Sequence, residues 1–248
     1  MVPVKTNWIF LRGLARGTGH WGIFPERFQA ANPDIKFELL EIPGNGSCAD
    51  EKTPIDPKTL IDQIRNKSKF FSKSVPINIC GVSLGGMIAL KWAELYPNEI
   101  QSVVVINSSL SQLSPFYQRL MPGNYLKFLK SSLTLNVRLR EKIILEMTSN
   151  DLIQSNKQLD SFTNYSKKYP FHFNNLIRQL KLATRININY PLKVPTKVIY
   201  SKMDRLVDSK CSIAISEMLG TQAVAHLTAG HDIALDDPDW LIARILEN

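Results

Sequence analysis

Cysteine is scarce. Cys48, Cys80 and Cys211 are the three in 248 residues, odd in number, widely spaced and without a C-x-x-C pair. Such a set excludes a disulfide framework and offers no zinc-ligand spacing, so a reducing compartment is expected. Long apolar runs are missing too. Residues 1–7 lead into Trp8-Ile9-Phe10-Leu11, which is too short for a signal-peptide core or a bilayer span. The chain is therefore expected to be soluble and cytoplasmic, with no membrane span. No internal repeat, low-complexity tract or recognised nucleic-acid-binding motif occurs, and nucleic acid is not an expected partner. Disorder is excluded by composition, because 44% of residues are apolar and 21% charged, as in ordinary folded proteins.

What is present is an alternation of strand and helix signals. Strands are expected at 8–11, 37–42, 77–82, 102–106, 196–200 and 223–227, and helices at 57–71, 84–96, 210–219 and 238–246. Val103-Val104-Val105-Ile106 is the continuous β-branched run of a strand buried on both faces. Such a rhythm predicts an α/β fold, a mostly parallel central sheet with helices on both faces.

The rhythm is interrupted over 110–193, which lacks β-branched runs and shows helical periodicity. This segment is expected to be a mostly helical cap, inserted in one domain whose core is 1–109 and 194–248. It holds thirteen Lys and Arg against four Asp and Glu, a charge of +9 within a chain of net +8. An acidic partner or anionic substrate could exploit that field, and a solvated helical surface would carry it equally well.

Gly81-Val82-Ser83-Leu84-Gly85 stands between the strand signal at 77–82 and the helix signal at 84–96. A G-x-S-x-G sequence in that context is a serine at a sharp strand-to-helix corner. Glycine on either side lets strand and helix crowd together, and the helix N-terminus beneath the serine offers N–H groups to an anion.

A nucleophilic serine needs a base and an acid that orients the base. Sites in parallel sheets gather beyond the carboxyl ends of strands. Among four histidines, His231 follows the strand at 223–227 in Thr228-Ala229-Gly230-His231-Asp232. His226 lies within that strand and reads as structural, His172 reads as a packing residue or pocket liner, and His20 as a rim or structural residue. Asp204 follows the strand at 196–200 and gives the order Ser, acid, His. Its rival, Asp208, precedes a helix and reads as an N-cap. Asp232 adjoins His231 and is a poor orienter, and Asn107-Ser108-Ser109 offers no carboxylate.

With Ser83, Asp204 and His231 in this order, the chain resembles the α/β-hydrolase superfamily over essentially its whole length apart from the segment at 110–193. The resemblance implies attack by Ser83 on an acyl carbonyl, proton transfer through His231 and orientation by Asp204. It also implies an oxyanion hole from the Leu84 N–H and a residue after the first strand. Arg12-Gly13 replaces the His-Gly pair of many relatives there, pointing to Leu14, with Ala15 as the alternative. With its first strand at 8–11, the sheet is expected to go without one or both of the antiparallel strands that open many relatives and to have six or seven strands. Serine rather than aspartate at the elbow argues against the dehalogenase and epoxide hydrolase branches. The implied activity is hydrolysis of a small carboxylic ester or thioester without cofactor or metal. Alternatives are a substrate borne on an acidic acyl carrier protein and a noncatalytic binding protein. Phe116, Tyr117 and Met121, with Leu120, Tyr125 and Phe128, are candidates to line an acyl pocket.

Overall fold

The computed structural model describes residues 7–71 and 76–247. Of the segment that leads into the short apolar run at 8–11, residues 1–6 lie outside them. Six strands, β1 (Asn7–Leu11), β2 (Lys36–Leu40), β3 (Ile77–Val82), β4 (Ile100–Ile106), β5 (Thr196–Ser201) and β6 (Ala223–His226), form one sheet. Their order is β2-β1-β3-β4-β5-β6, and every neighbouring pair is parallel.

Alternate residues of each strand face opposite ways, so the sheet feeds two cores. Ile9, Leu11, Ile79, Val103, Val105 and Val198 pack with α2 (Pro57–Lys67) and α3 (Leu84–Leu95). Trp8, Phe10, Cys80, Val82, Val104 and Ile106 pack on the other face with α1 (Phe24–Ala31) and α11 (Pro238–Leu246). Phe10 centres an aromatic cluster there, its ring meeting Trp21, Phe24, Phe28 and Phe37 edge-on. The sequence pattern did not mark α1. Two buried residues, Phe24 and Phe28, make a sparse stripe, and Pro25 in the first turn looks like a breaker although that position tolerates it.

Between β4 and β5 the chain forms only helices: α4 (Phe116–Arg119), α5 (Tyr125–Leu133), α6 (Val137–Thr148), α7 (Leu152–Lys168) and α8 (Phe173–Arg185). α9 (Lys210–Met218) and α10 (Ile233–Asp236) complete the set described here. Among the described residues, no helix is long and apolar enough to cross a membrane. Each β-strand ends toward one side of the sheet, and the loops that follow β1, β3, β5 and β6 meet there.

Candidate active site

Ser83 ends β3 and starts α3 with φ 55° and ψ −117°, a conformation costly for a residue with a Cβ. The corner is enforced from both sides. A Cβ on Gly81 would collide with the Gly85 carbonyl, and one on Gly85 with the Leu11 carbonyl. The Ser83 N–H donates to Ile106 O at 2.8 Å, and Ser108 Oγ donates to Ser83 O at 2.7 Å. Strain at this residue is therefore held by neighbours on β1, β4 and the loop after β4.

Asp204 lies in the loop after β5, its side chain almost fully buried. Its Oδ1 accepts the N–H groups of Leu206 (2.8 Å) and Val207 (3.0 Å), and its Oδ2 lies 2.7 Å from His231 Nδ1. A carboxylate can only accept, so Nδ1 carries the proton and Nε2 keeps its lone pair. His231 itself is clamped through its backbone. Asn107, at φ 45°, donates to His231 O at 2.8 Å while its Oδ1 accepts the Ser201 N–H at 2.7 Å. One side chain thus fastens the ends of β4 and β5 to the loop after β6.

Ser83 and His231 line the same cavity, of about 200 Å³, together with the loop 12–17 and the inner faces of α6, α7 and α8. Among the described residues Ser83 Oγ makes no hydrogen bond to His231, an arrangement common before substrate tightens a site. Gly13 packs against the serine closely enough that a Cβ there would stand 3.1 Å from Ser83 Cβ. Ala15, at φ 53°, donates its N–H to Gln179 Oε1 at 2.9 Å. Its neighbour Leu14 and the helix-opening Leu84 have no backbone N–H partner among the described residues. Leu84 follows the serine directly and Leu14 follows the Gly13 that packs against it, and the N-terminus of the twelve-residue α3 adds its dipole.

Arg12, which replaces the familiar histidine, pairs with Asp232 through both nitrogens, Nη1–Oδ1 at 3.0 Å and Nη2–Oδ2 at 2.6 Å. Burial pushes the Asp232 carboxyl up, but Arg12 outweighs it and leaves the group below the usual carboxylate range. Both Asp232 oxygens are taken by Arg12, and the hydrogen bond to the His231 imidazole comes from Asp204.

A second buried network forms another part of the cavity wall. Gly17 N–H donates to His20 Nδ1 at 3.0 Å, His20 Nε2 meets Ser166 Oγ at 3.1 Å, and Ser166 Oγ donates to Glu141 Oε1 at 2.8 Å. Arg16 Nη1 closes it on Glu141 Oε2 at 2.5 Å. Burial first, then the charges of Arg16 and Arg12, hold the His20 imidazole well below its usual pKa and therefore neutral. No spacing in the sequence signals this network, because Arg16 and Glu141 are 125 positions apart.

The remaining sequence expectations sort as follows. His226 accepts the N–H groups of Thr228 and Ala229, a structural role within its loop. His172 faces solvent beside Asp50 and does not line the cavity. Asp208 accepts the Lys210 N–H at 2.9 Å at the start of α9. The aromatic pocket candidates need correction. Phe116 and Tyr117 are 73% and 50% exposed and meet edge to face at the surface. Met121 and Tyr125 are also outside the lining, and of the six candidates Leu120 and Phe128 belong to it. Arg119 at the end of the short α4 and Leu120 just after it line the cavity, while the first two side chains of α4 lie in water.

Residues 53–237 match the family described as serine aminopeptidase, S33. The monoacylglycerol lipase ABHD6 of Mus musculus is 23% identical over 261 residues, covering 94% of this chain and 72% of that protein. Among solved structures, the enol-lactonase from Burkholderia xenovorans LB400 aligns with a TM-score of 0.75 at 14% identity, covering 98% of this chain and 90% of that one. A lipase-esterase related protein from Clostridium acetobutylicum ATCC 824 gives 0.72 at 19% identity, covering 97% and 93%. A third likeness is the RedJ thioesterase from Streptomyces coelicolor, at 0.64 and 15% identity, covering 97% and 85%. These likenesses share the fold described above, and the family match takes in β3, the elbow, the inserted helices and the loops of Asp204 and His231. The chain belongs to the serine aminopeptidase, S33 family of the α/β-hydrolase superfamily.

Proposed function

We propose that this protein is a serine hydrolase that cleaves a small carboxylic ester or thioester through an acyl-enzyme on Ser83. The observation that carries the reading is His231, held at 2.7 Å by Asp204 in the wall of the cavity onto which the strained Ser83 opens. Ser83 Oγ attacks the acyl carbon while its proton passes to His231 Nε2. The tetrahedral oxyanion takes the N–H groups of Leu84 and Leu14. Collapse breaks the bond to the leaving oxygen or sulfur, which receives the proton from His231. Water then enters, loses its proton to the same nitrogen, and releases the acid as Ser83 recovers its hydrogen. Asp204 fixes the tautomer and stabilises the transient imidazolium. The chemistry asks for no metal or cofactor.

Helices α4 to α8 act as the cap of this site and set its acyl pocket. Leu120, Phe128, Ile144, Met147, Leu176 and Leu180 give that pocket an apolar wall. Of the thirteen basic side chains over 110–193, only Arg119 and Arg140 line the cavity. The remaining eleven lie off the cavity, so a small-molecule ester is favoured over a carrier-borne one.

Hydrolysis of p-nitrophenyl esters from acetate to palmitate, compared between wild type and Ser83→Ala, tests the reading. Turnover that favours short chains and disappears in the variant is expected. Turnover that survives in Ser83→Ala would overturn it, as would a folded wild type that neither turns over any ester nor reacts with a fluorophosphonate.

A further inference from the structure

The cavity wall is not electrically balanced. Four guanidinium groups line it, from Arg12, Arg16, Arg119 and Arg140, against two carboxylates, Glu141 and Asp232. Both carboxylates are already spent, Asp232 on Arg12 and Glu141 on Arg16. With His20 held neutral by burial, the lining retains two uncompensated positive charges.

The two unmatched cations are anchored only by neutral groups. Arg119 Nε donates to Ser109 Oγ at 3.2 Å and its Nη2 to Ala183 O at 2.8 Å. Arg140 Nε donates to Ser131 O at 3.2 Å and its Nη2 to Thr134 O at 2.6 Å, with its guanidinium 4.7 Å over the Phe171 ring. Among the described residues neither has a carboxylate partner, and Nη1 of each makes no hydrogen bond. Burial lowers the pKa of both from the ordinary guanidinium value; at Arg140 the nearby Glu141, itself paired with Arg16, offsets only part of that, and no carboxylate offsets it at Arg119. Half-buried cations fixed in position but unpaired are costly unless something charged completes them. Arg119 also stands near the chemistry, since it holds Ser109, the residue after the Ser108 whose hydroxyl binds the Ser83 carbonyl.

We propose that the substrate of this site is an anionic ester, with a carboxylate or phosphate remote from the scissile bond that pairs with Arg119 and Arg140. The inference rests on the serine-hydrolase reading and deepens it. Apolar lining between the two arginines and Ser83 would take the connecting chain, and the fixed guanidinium planes would take the anion bidentately.

The test compares matched pairs: monomethyl adipate against methyl hexanoate, and glycerol monobutyrate 3-phosphate against glycerol monobutyrate. Wild type is expected to favour the anionic member of one pair by at least about tenfold in kcat/KM, the worth of one charged hydrogen bond. Which pair shows the preference tells carboxylate from phosphate. Raising the salt concentration should shrink the preference by raising KM for the anion alone. The anionic-to-neutral ratio should collapse toward one in Arg119→Gln and Arg140→Gln, whereas Lys181→Gln, exposed and off the cavity, should keep it. Because Arg119→Gln could misfold, competitive inhibition of a neutral p-nitrophenyl ester by adipate and by glycerol 3-phosphate in wild type is measured as well. Equal or reversed preference in both pairs with neutral turnover intact would overturn the proposal and leave Ser83 chemistry standing, as would a lack of inhibition by both adipate and glycerol 3-phosphate. Failure of every ester together with failure of fluorophosphonate labelling would remove both.

Discussion

Arg12 and Asp232 are 220 positions apart and meet in a buried two-point ion pair that joins the end of β1 to the residue after His231. The Arg12 guanidinium also lies 4.8 Å over the Trp21 ring, so packing fixes it from a second direction. The pair ties the loop of the candidate oxyanion donor Leu14 to the loop of the candidate base.

Removing one member should cost more than removing both. Arg12→Met leaves a buried carboxylate without its cation and should lower stability by about 3–5 kcal/mol, while Arg12→Met with Asp232→Leu should recover most of that. Because the folded Asp232 titrates below its ordinary value, its contribution is present at neutral pH and lost as pH falls through the folded value, below about 4. Urea midpoints of wild type and Asp232→Asn from pH 3 to 7 check this. An acid limb that is equally steep in both would contradict it.

His20 gives a separate pH signature. Its folded pKa is depressed below 6.5 by burial and by Arg16 and Arg12, so the unfolded chain binds a proton that the native one refuses. Stability from this group is complete above pH 6.5 and declines as pH falls toward the folded value, by up to about 1.4 kcal/mol per unit. His20→Gln should flatten thermal stability between pH 5 and 6.5, and an unchanged slope would assign the decline elsewhere.

Gln179 should act through position alone. It is fully buried on α8, accepts from Ala15 N–H and donates to Asn45 Oδ1 at 2.7 Å. Gln179→Leu leaves the Ala15 donor unpaired, a cost of about 1–3 kcal/mol. It should also lower kcat with little change in KM, because the displaced donor at Leu14 matters most to the oxyanion. A rise in KM with kcat unchanged would instead place Gln179 in substrate binding.

The elbow glycines should be intolerant in a way other glycines are not. Gly81→Ala or Gly85→Ala drives a methyl into backbone and should prevent accumulation of folded protein. Gly123→Ala meets open space and should shift stability by no more than about 0.5 kcal/mol. Circular dichroism melts of the three variants compare them directly.

Local patterning made much of the fold readable. Val103 to Ile106 could only be an interior strand, and Gly81, Ser83 and Gly85 together encode a corner whose sterics the structure reproduces. The order of Asp204 and His231 after successive strands brought them to one loop cluster, where they bond. The cavity wall was not readable, because apolarity along the chain does not say which face of a four-residue helix meets water. Phe116 and Tyr117 therefore looked like pocket residues and lie outside it. Buried charge pairing was hidden for a related reason: Arg16 with Glu141 and Arg12 with Asp232 depend on how distant loops close, and no periodicity records that.

Peptide mapping by mass spectrometry after fluorophosphonate treatment tests Ser83 as the nucleophile most directly. One adduct on the peptide containing Ser83 is expected in wild type, with labelling much slower in His231→Ala because the base is gone. An unmodified wild type, or an adduct on another residue, would contradict catalysis at Ser83.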